Sequence, residues 1–336
     1  MCWPSELFPE LEEDNLLGGI ISITMSSVLV IGEALVDVVH SGDGGIKNVP
    51  GGSPANTAVA LARLGVTTYM KARISKDEFG AEIRSYLESQ NVNLKLSLFV
   101  DEPSSVIDAF IQEDGSAKYE ANLTGASDYG WTKSELDIAL DEHIKIIQLG
   151  SLTSYIEPGA SNVENWYKQL RKNAKQLLTF DPNIRHSLDA QPEDEVRKRA
   201  KNLASLAHVV KASDEDLSWI NPNQDVIETA KNFIQNGTTL VVITLGKNGA
   251  VAINSNFEVI QIPAPKVEVK DTIGAGDTFA AALITQLLEK QITDEKSLCL
   301  LPLSELHVIL SNCAMTSALT CSRQGANPPY RHEVTW

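Results

Sequence analysis

Cysteine is scarce in this 336-residue chain: four residues, at 2, 299, 313 and 321, with no C-x-x-C pair and no zinc spacing. A disulfide scaffold and a zinc centre are therefore not expected. Plain thiols of a reducing, cytoplasmic compartment are, with Cys313 and Cys321 packed along one C-terminal helix. The six histidines are scattered and none falls in H-E-x-x-H, which removes that transition-metal chemistry. Basic residues are in deficit, 28 Lys and Arg against 44 Asp and Glu, for a formal charge of -16. Nucleic acid and anionic membrane are excluded as main partners, since both attract the opposite sign. No apolar run reaches the length of a membrane span. G-x-x-x-x-G-K-[ST] occurs nowhere, and no G-x-G-x-x-G follows the first strand, so a Walker-type nucleotide site and a dinucleotide-dependent dehydrogenase are set aside. Internal repeats and low-complexity tracts are also missing.

What is present is an ordinary globular composition, 43% apolar, long enough for one large α/β domain or two smaller ones. Residues 1–25 carry Glu6, Glu10, Glu12, Glu13 and Asp14, the wrong charge for a secretory or organellar signal. Met25 stands directly before the first strand. The segment reads as a disordered extension or as sequence ahead of the true start, and no function is expected of it.

From there the chain alternates strands and helices. Val28 to Ile31 is a short apolar strand running into Gly32 to Asp37, and an Asp at a strand end in an α/β protein faces the crevice where ligands bind. Gly51-Gly52-Ser53-Pro54-Ala55-Asn56 precedes a helix from Thr57 to Leu64. Its two glycines let a ligand approach the backbone, and Asn56 offers a donor and an acceptor to hydroxyls. Ser53 as N-cap with Pro54 at the first helical position accounts for the same residues. Thr67 to Ala72 reads as a strand and Glu78 to Gln90 as a helix. Between residues 95 and 122 short alternating strands, such as Ser105 to Gln112 and Ala117 to Ala121, are expected to pair with residues 38–50 as a flap over the crevice. The alternation then resumes with strands at Ile144 to Leu149, Leu177 to Phe180, Val209 to Lys211 and Leu240 to Leu245, and with helices at Ser161 to Asn173 and Ser304 to Thr320.

The stretch around which the rest is organised is Asp271-Thr272-Ile273-Gly274-Ala275-Gly276-Asp277-Thr278-Phe279. Small residues at 274–276 permit a tight turn directly before an apolar helix, whose free N–H groups and dipole favour phosphate or developing negative charge. A carboxylate has no part in holding a phosphate, so Asp277 there points to proton abstraction from an attacking hydroxyl; a helix cap is the other account, and the residues alone leave both open.

In this order the motifs resemble the ribokinase or PfkB family of carbohydrate kinases, in its fructokinase-like branch. Asp271 to Asp277 resembles the family's C-terminal signature and Gly51 to Asn56 its N-terminal one. Gly32 to Asp37, Asp181 to Arg185, Thr244 to Gly246 and Gly325-Ala326 match in sequence order, over roughly residues 26–330. The resemblance implies a three-layer α/β/α sandwich with a mostly parallel sheet and a small β-sheet lid, in one domain spanning 26–333. It implies Asp277 as the catalytic base and the N–H groups of Gly274, Ala275 and Gly276 as the anion hole. Asp37, Gly51, Gly52 and Asn56 would hold the sugar, and Arg185, just past a strand end, would clamp phosphate or sugar oxygens or else form a surface salt bridge. Lys211, Ser213, Thr244, Gly246, Gly249, Gly276 and Asn312 would line the ATP site. Mg2+ would ride mainly on ATP phosphates and water with Asp216 acting through water, and K+ would sit near Asp271 and Ile273. The chain departs from the family pattern in three places. Asp216 ends Ser213-Asp214-Glu215-Asp216 where Glu is usual, Ile74-Ser75 stands for Val-Gly, and no Arg follows Tyr119 in the lid. The expected partners are thus a free sugar, fructose first, and ATP, with the flap edge suited to a homodimer. Ribose, 2-keto-3-deoxygluconate and nucleosides are the rival substrates, and a non-catalytic sugar or nucleotide sensor is the rival class.

Overall fold

The run Ser27–Ile31 (β1) is buried along its whole length, as a central strand covered on both faces must be. It opens a computed structural model that describes residues 26–40, 44–111, 117–173, 175–185, 188 and 191–336. The N-terminal extension expected for residues 1–25, and Gln112 at the end of the strand expected from Ser105, lie outside the described residues. The further strands are Leu35–His40 (β2), Ile46–Gly51 (β3), Thr67–Lys71 (β4), Arg73–Ser75 (β5), Leu98–Val100 (β6), Val106–Ile111 (β7), Ala117–Asn122 (β8), Ile144–Gly150 (β9), Leu177–Asp181 (β10), Val209–Ser213 (β11), Leu240–Thr244 (β12), Ala250–Asn254 (β13) and Val259–Ile262 (β14). Helices among the described residues are Ser53–Arg63 (α1), Glu78–Ser89 (α2), Lys133–Leu136 (α3), Ala160–Asn173 (α4), Glu193–Leu206 (α5), Asp214–Ile220 (α6), Val226–Gln235 (α7), Ala275–Glu289 (α8), Glu295–Cys299 (α9) and Leu303–Cys321 (α10).

Eight strands form the main sheet in the order β14-β13-β12-β11-β10-β9-β1-β4. The pairs from β4 through β12 are parallel, and the hairpin of β13 and β14 adds two antiparallel strands at one edge. Alternate residues of each strand feed two separate apolar clusters. Val28, Val30 and Val242 pack with α1, α8 and α10 on one face, while Leu29, Ile31 and Ile243 pack with α4 to α7 on the other. That alternation makes the three layers. Because the chain leaves β1 for β4 on one side and later returns to β9 on the other, the strand order reverses between β1 and β9, and a crevice opens there beyond the strands' carboxyl ends.

A second sheet of four strands, β3-β2-β7-β8, stands apart from the first. Its central pair, β2 and β7, is parallel, with Asp37 opposite Ile107, and the outer strands are antiparallel to them. Leu98–Val100 takes another course from the expected flap: it pairs with Arg73–Ser75, so of the span 95–122 only β7 and β8 enter the small sheet. No helix among the described residues is long and apolar enough to cross a membrane.

Candidate active site

Helix α8 starts at Ala275, four residues ahead of the apolar run, because Gly274 takes the left-handed conformation (φ 75°) that ends the preceding loop. A Cβ at Gly274 would come within 2.8 Å of Ala326 Cβ, so the turn lies flat against the loop after α10. Asp271 fixes the same loop: its carboxylate accepts from the N–H of Ile273 at 3.0 Å and of Gly325 at 2.8 Å. The Ile273 side chain is exposed, which leaves only its backbone to take part in anything here.

Asp277 is 5% exposed in the first turn of α8. Its Oδ1 accepts from Ser53 Oγ at 2.6 Å and its Oδ2 from Asn56 Nδ2 at 3.0 Å, both on α1. The N-cap of α8 is Gly274, with no side-chain cap, so the capping account of Asp277 falls. The expectation for Ser53 is corrected too. Gly52 (φ 99°) is the N-cap of α1 and makes no side-chain cap, helix α1 begins at Ser53 itself, and the hydroxyl is drawn instead to the buried carboxylate. Asn183, left-handed at φ 38°, donates its Nδ2 to the same Ser53 Oγ at 2.6 Å and brings in the loop after β10.

The two glycines before α1 are places of close approach. A Cβ at Gly51 would lie 2.9 Å from Asp37 Oδ2, and one at Gly52 would lie 2.9 Å from the Glu33 carbonyl oxygen. Asp37 is partly buried on β2, and burial pushes its carboxyl up to about 6 against the opposing pull of the Arg185 guanidinium. Arg185 itself is exposed, its backbone N–H donating to Tyr155 Oη at 3.0 Å. Asp37, Gly51, Gly52, Asn56, Arg185 and Asp277 are thereby gathered around the crevice.

On the other side, β11 carries Lys211, 6% exposed, whose Nζ donates to Asp181 Oδ2 at 2.8 Å. Burial alone would push this ammonium down, but Asp181, with Asp216 and Asp277 beyond it, holds its pKa above the usual lysine value. A Cβ at Gly276 would stop 3.0 Å from Lys211 Nζ, so the buried cation sits against the first turn of α8. Ser213 and Asp216 form a capping box at the start of α6, and the second Asp216 oxygen accepts from the Ile184 N–H at 2.8 Å. Thr244 stands beside Ser213 in the strand register, and the turn from Gly246 (φ 51°) to Gly249 (φ 93°) follows it. Asn312 lies apart. Its amide donates to Gln286 Oε1 at 2.8 Å, whereas the first turn of α8 meets Ser317, five residues or about 7.5 Å further along α10.

Sequence reasoning gave no part to Asp181 or Asn183, although both lie inside a quoted motif, and it cast Ser53 only as a cap. What would have found them is the density of small polar residues at strand ends on one side of the sheet. Among the described residues no group of three or more His, Cys, Asp or Glu could hold a metal ion.

Residues 25–327 match the profile described as pfkB family carbohydrate kinase. The chain is 29% identical over 311 residues to a probable fructokinase-2 of Arabidopsis thaliana, covering 90% of this chain and 92% of that one. Among solved structures it superposes on fructokinase from Vibrio cholerae O395, in a form bound to fructose, ADP and calcium ion, with a TM-score of 0.77 and 25% identity, covering 90% and 95% of the two chains. It superposes likewise on a sugar kinase of Pyrococcus horikoshii in complex with ATP, with a TM-score of 0.75 and 26% identity, covering 91% and 96%. A family match spanning nearly the whole described chain, with relatives of the same length and fold, makes this protein a member of the pfkB family of carbohydrate kinases.

Proposed function

We propose that the chain transfers the γ-phosphate of ATP to a hydroxyl of a free sugar, with fructose as the first candidate. One observation carries this reading: a buried carboxylate, Asp277, oriented by Ser53 and Asn56 at the N-terminus of a long helix, with the Lys211 ammonium against that helix's first turn. A proton acceptor, the N–H donors of a helix N-terminus and a buried cation at one place are what phosphoryl transfer to an alcohol asks of a protein.

In the proposed step the sugar hydroxyl, held by Asp37, Gly51, Gly52 and Asn56, loses its proton to Asp277 as its oxygen bonds to the γ-phosphorus. The bond from that phosphorus to the ADP oxygen breaks. Charge on the transferred group is met by the N–H groups of Gly274 and Gly276 and by Lys211, and the Ala275 N–H, which donates to the Thr272 carbonyl at 3.2 Å, joins them only by leaving that bond. Arg185 draws Asp37 toward its ionised form. Ser213, Thr244, Gly246 and Gly249 line the path along which the nucleotide extends. Asn312, bonded to Gln286, is left to shape the wall of that path.

Mg2+ enters in this reading with the nucleotide phosphates, for which it supplies charge neutralisation. Both oxygens of Asp216 are already engaged by Ser213 and Ile184, so its reach to the metal runs through water. Asp271 likewise spends both oxygens on N–H groups, and K+ beside it would be held by backbone oxygens of that loop, Ile273 included. The small sheet of β2, β3, β7 and β8 serves as the lid, and its edge, where Ile46 is 68% exposed, is the proposed seat of a homodimer.

The test is ADP release over a panel of free sugars, sugar acids and nucleosides, with and without K+. Fructose-dependent release with the highest kcat/KM of the panel is the expected result. A nucleoside or sugar acid in that position moves the substrate assignment, and binding of sugar and ATP without turnover places the chain among sensors of the same fold.

A further inference from the structure

Four stretches of chain join the small sheet to the main body, and three of them meet at a single carboxylate. Asp128 is 1% exposed and follows β8 in the short turn Ser127–Tyr129. Its Oδ1 accepts from the N–H of Ala34, the residue before β2, at 2.9 Å. Its Oδ2 accepts from Ser105 Oγ, the residue before β7, at 2.6 Å. The two strand roots are also bonded to each other, Val36 N–H donating to the Ser105 carbonyl at 3.1 Å. Beside them Asp77 accepts from the Ser104 N–H and hydroxyl, at 2.8 and 2.7 Å, and anchors the same entry to α2.

We propose that Asp128 is a positioning residue for the sugar: by fastening the roots of β2 and β7 it sets where Asp37 stands over the crevice. The proposal rests on the reading of Asp37 as a sugar contact. Asp37 lies three residues beyond Ala34 on β2, about 10 Å along the strand, and its carboxylate is level with Gly51. A rigid strand carries any shift at its root to that carboxylate. The Val36 to Ser105 backbone bond joins the same two roots, but among the described residues Asp128 is the side chain whose carboxylate accepts from both Ala34 and Ser105. Glu33 Oε2 accepts from the Thr153 N–H at 3.1 Å and so ties this segment to the main sheet, not to β7. Burial pushes the Asp128 carboxyl up to about 7, the bonds from Ser105 and Ala34 opposing and Glu33 adding to the rise. An amide of the same shape can accept from the Ala34 N–H and donate to Ser105 Oγ, and is a close substitute, whereas a methyl group is not.

The experiment compares Asp128→Ala, Asp128→Asn and Ser105→Ala with wild type, measuring kcat and KM for the sugar and for ATP, and the thermal midpoint. With one buried clamp removed, Asp128→Ala should raise the sugar KM about tenfold and the ATP KM less than about twofold. Asp128→Asn should restore the sugar KM to within about threefold, and Ser105→Ala should raise it less than Asp128→Ala does. Equal rises in both KM values, an unchanged sugar KM in Asp128→Ala, or an Asn variant no better than Ala would overturn the clamp. If Asp128→Ala does not fold, Ser105→Ala decides by the same split. Wild-type protein that turns over no sugar overturns the reading of the site and the clamp together, whereas normal wild-type turnover with an unmoved variant overturns the clamp alone.

Discussion

Ser53 and Asp277 are 224 residues apart in sequence, and the serine hydroxyl donates to the Asp277 carboxylate at 2.6 Å. With Asn56 on the second oxygen, the carboxylate is held at two points by one helix face. Asp277→Asn should keep the fold and nucleotide affinity and lower kcat by about two to four orders of magnitude, the usual worth of a catalytic base. Ser53→Ala, which keeps the carboxylate and loosens one of its holds, should cost about tenfold. Steady-state kinetics with calorimetric ATP titration checks both. Near-normal turnover in Asp277→Asn would remove the base from the mechanism.

Asp37 gives the pH dependence. Its pKa of about 6 lies above the ordinary carboxylate value, burial being the larger cause and Arg185 opposing it. The ionised form accepts hydrogen bonds from sugar hydroxyls, so kcat/KM for the sugar should fall as pH drops through 6. Arg185→Ala removes the opposing pull, raises the pKa further and moves this acid limb to higher pH. A limb that stays put in the variant would detach Arg185 from Asp37.

Lys211 and Asp181 form an ion pair, each less than 10% exposed. Lys211→Met leaves Asp181 without its partner and should destabilise the fold by about 3–5 kcal/mol. Replacing both, by Lys211→Met with Asp181→Leu, should recover most of that stability, because the charge left behind is gone. Activity should not return, since the cation beside Gly276 is still missing. Denaturant melts set against turnover separate the two roles, and a double variant with restored turnover would make the pair purely structural.

Gly274 cannot be exchanged cheaply. Its φ of 75° and the 2.8 Å approach of Ala326 Cβ mean that Gly274→Ala strains the backbone and pushes on the adjoining loop. A loss of about 1–3 kcal/mol in chemical denaturation is expected, with a larger fractional loss of turnover than of stability. A silent substitution would show that the turn is not held as tightly as the contact implies.

The order of elements was legible wherever burial forces a pattern. Continuous apolar runs placed β1, β9 and β12 within a residue or two, and the glycine turn before α8 was legible because small residues have few other uses there. What could not be read were contacts between distant segments. Ser53 looks like a helix cap from its neighbours, and only the arrival of Asp277 shows why it is not. Lys211 and Asp181 meet across adjacent strands 30 residues apart, and Asp128 finds Ala34 94 residues back. Leu98–Val100 has the alternation of a flap strand, but its partner, Arg73–Ser75, is too short to announce itself.

The loop after α10 buttresses the turn before α8, through Gly325 on Asp271 and Ala326 against Gly274. A nascent chain that has delivered α8 therefore still lacks the support that its glycine turn leans on. That support is complete only when the chain beyond Glu289 reaches Gly325 and Ala326, so a product halted before residue 325 would lack the contacts that hold the turn.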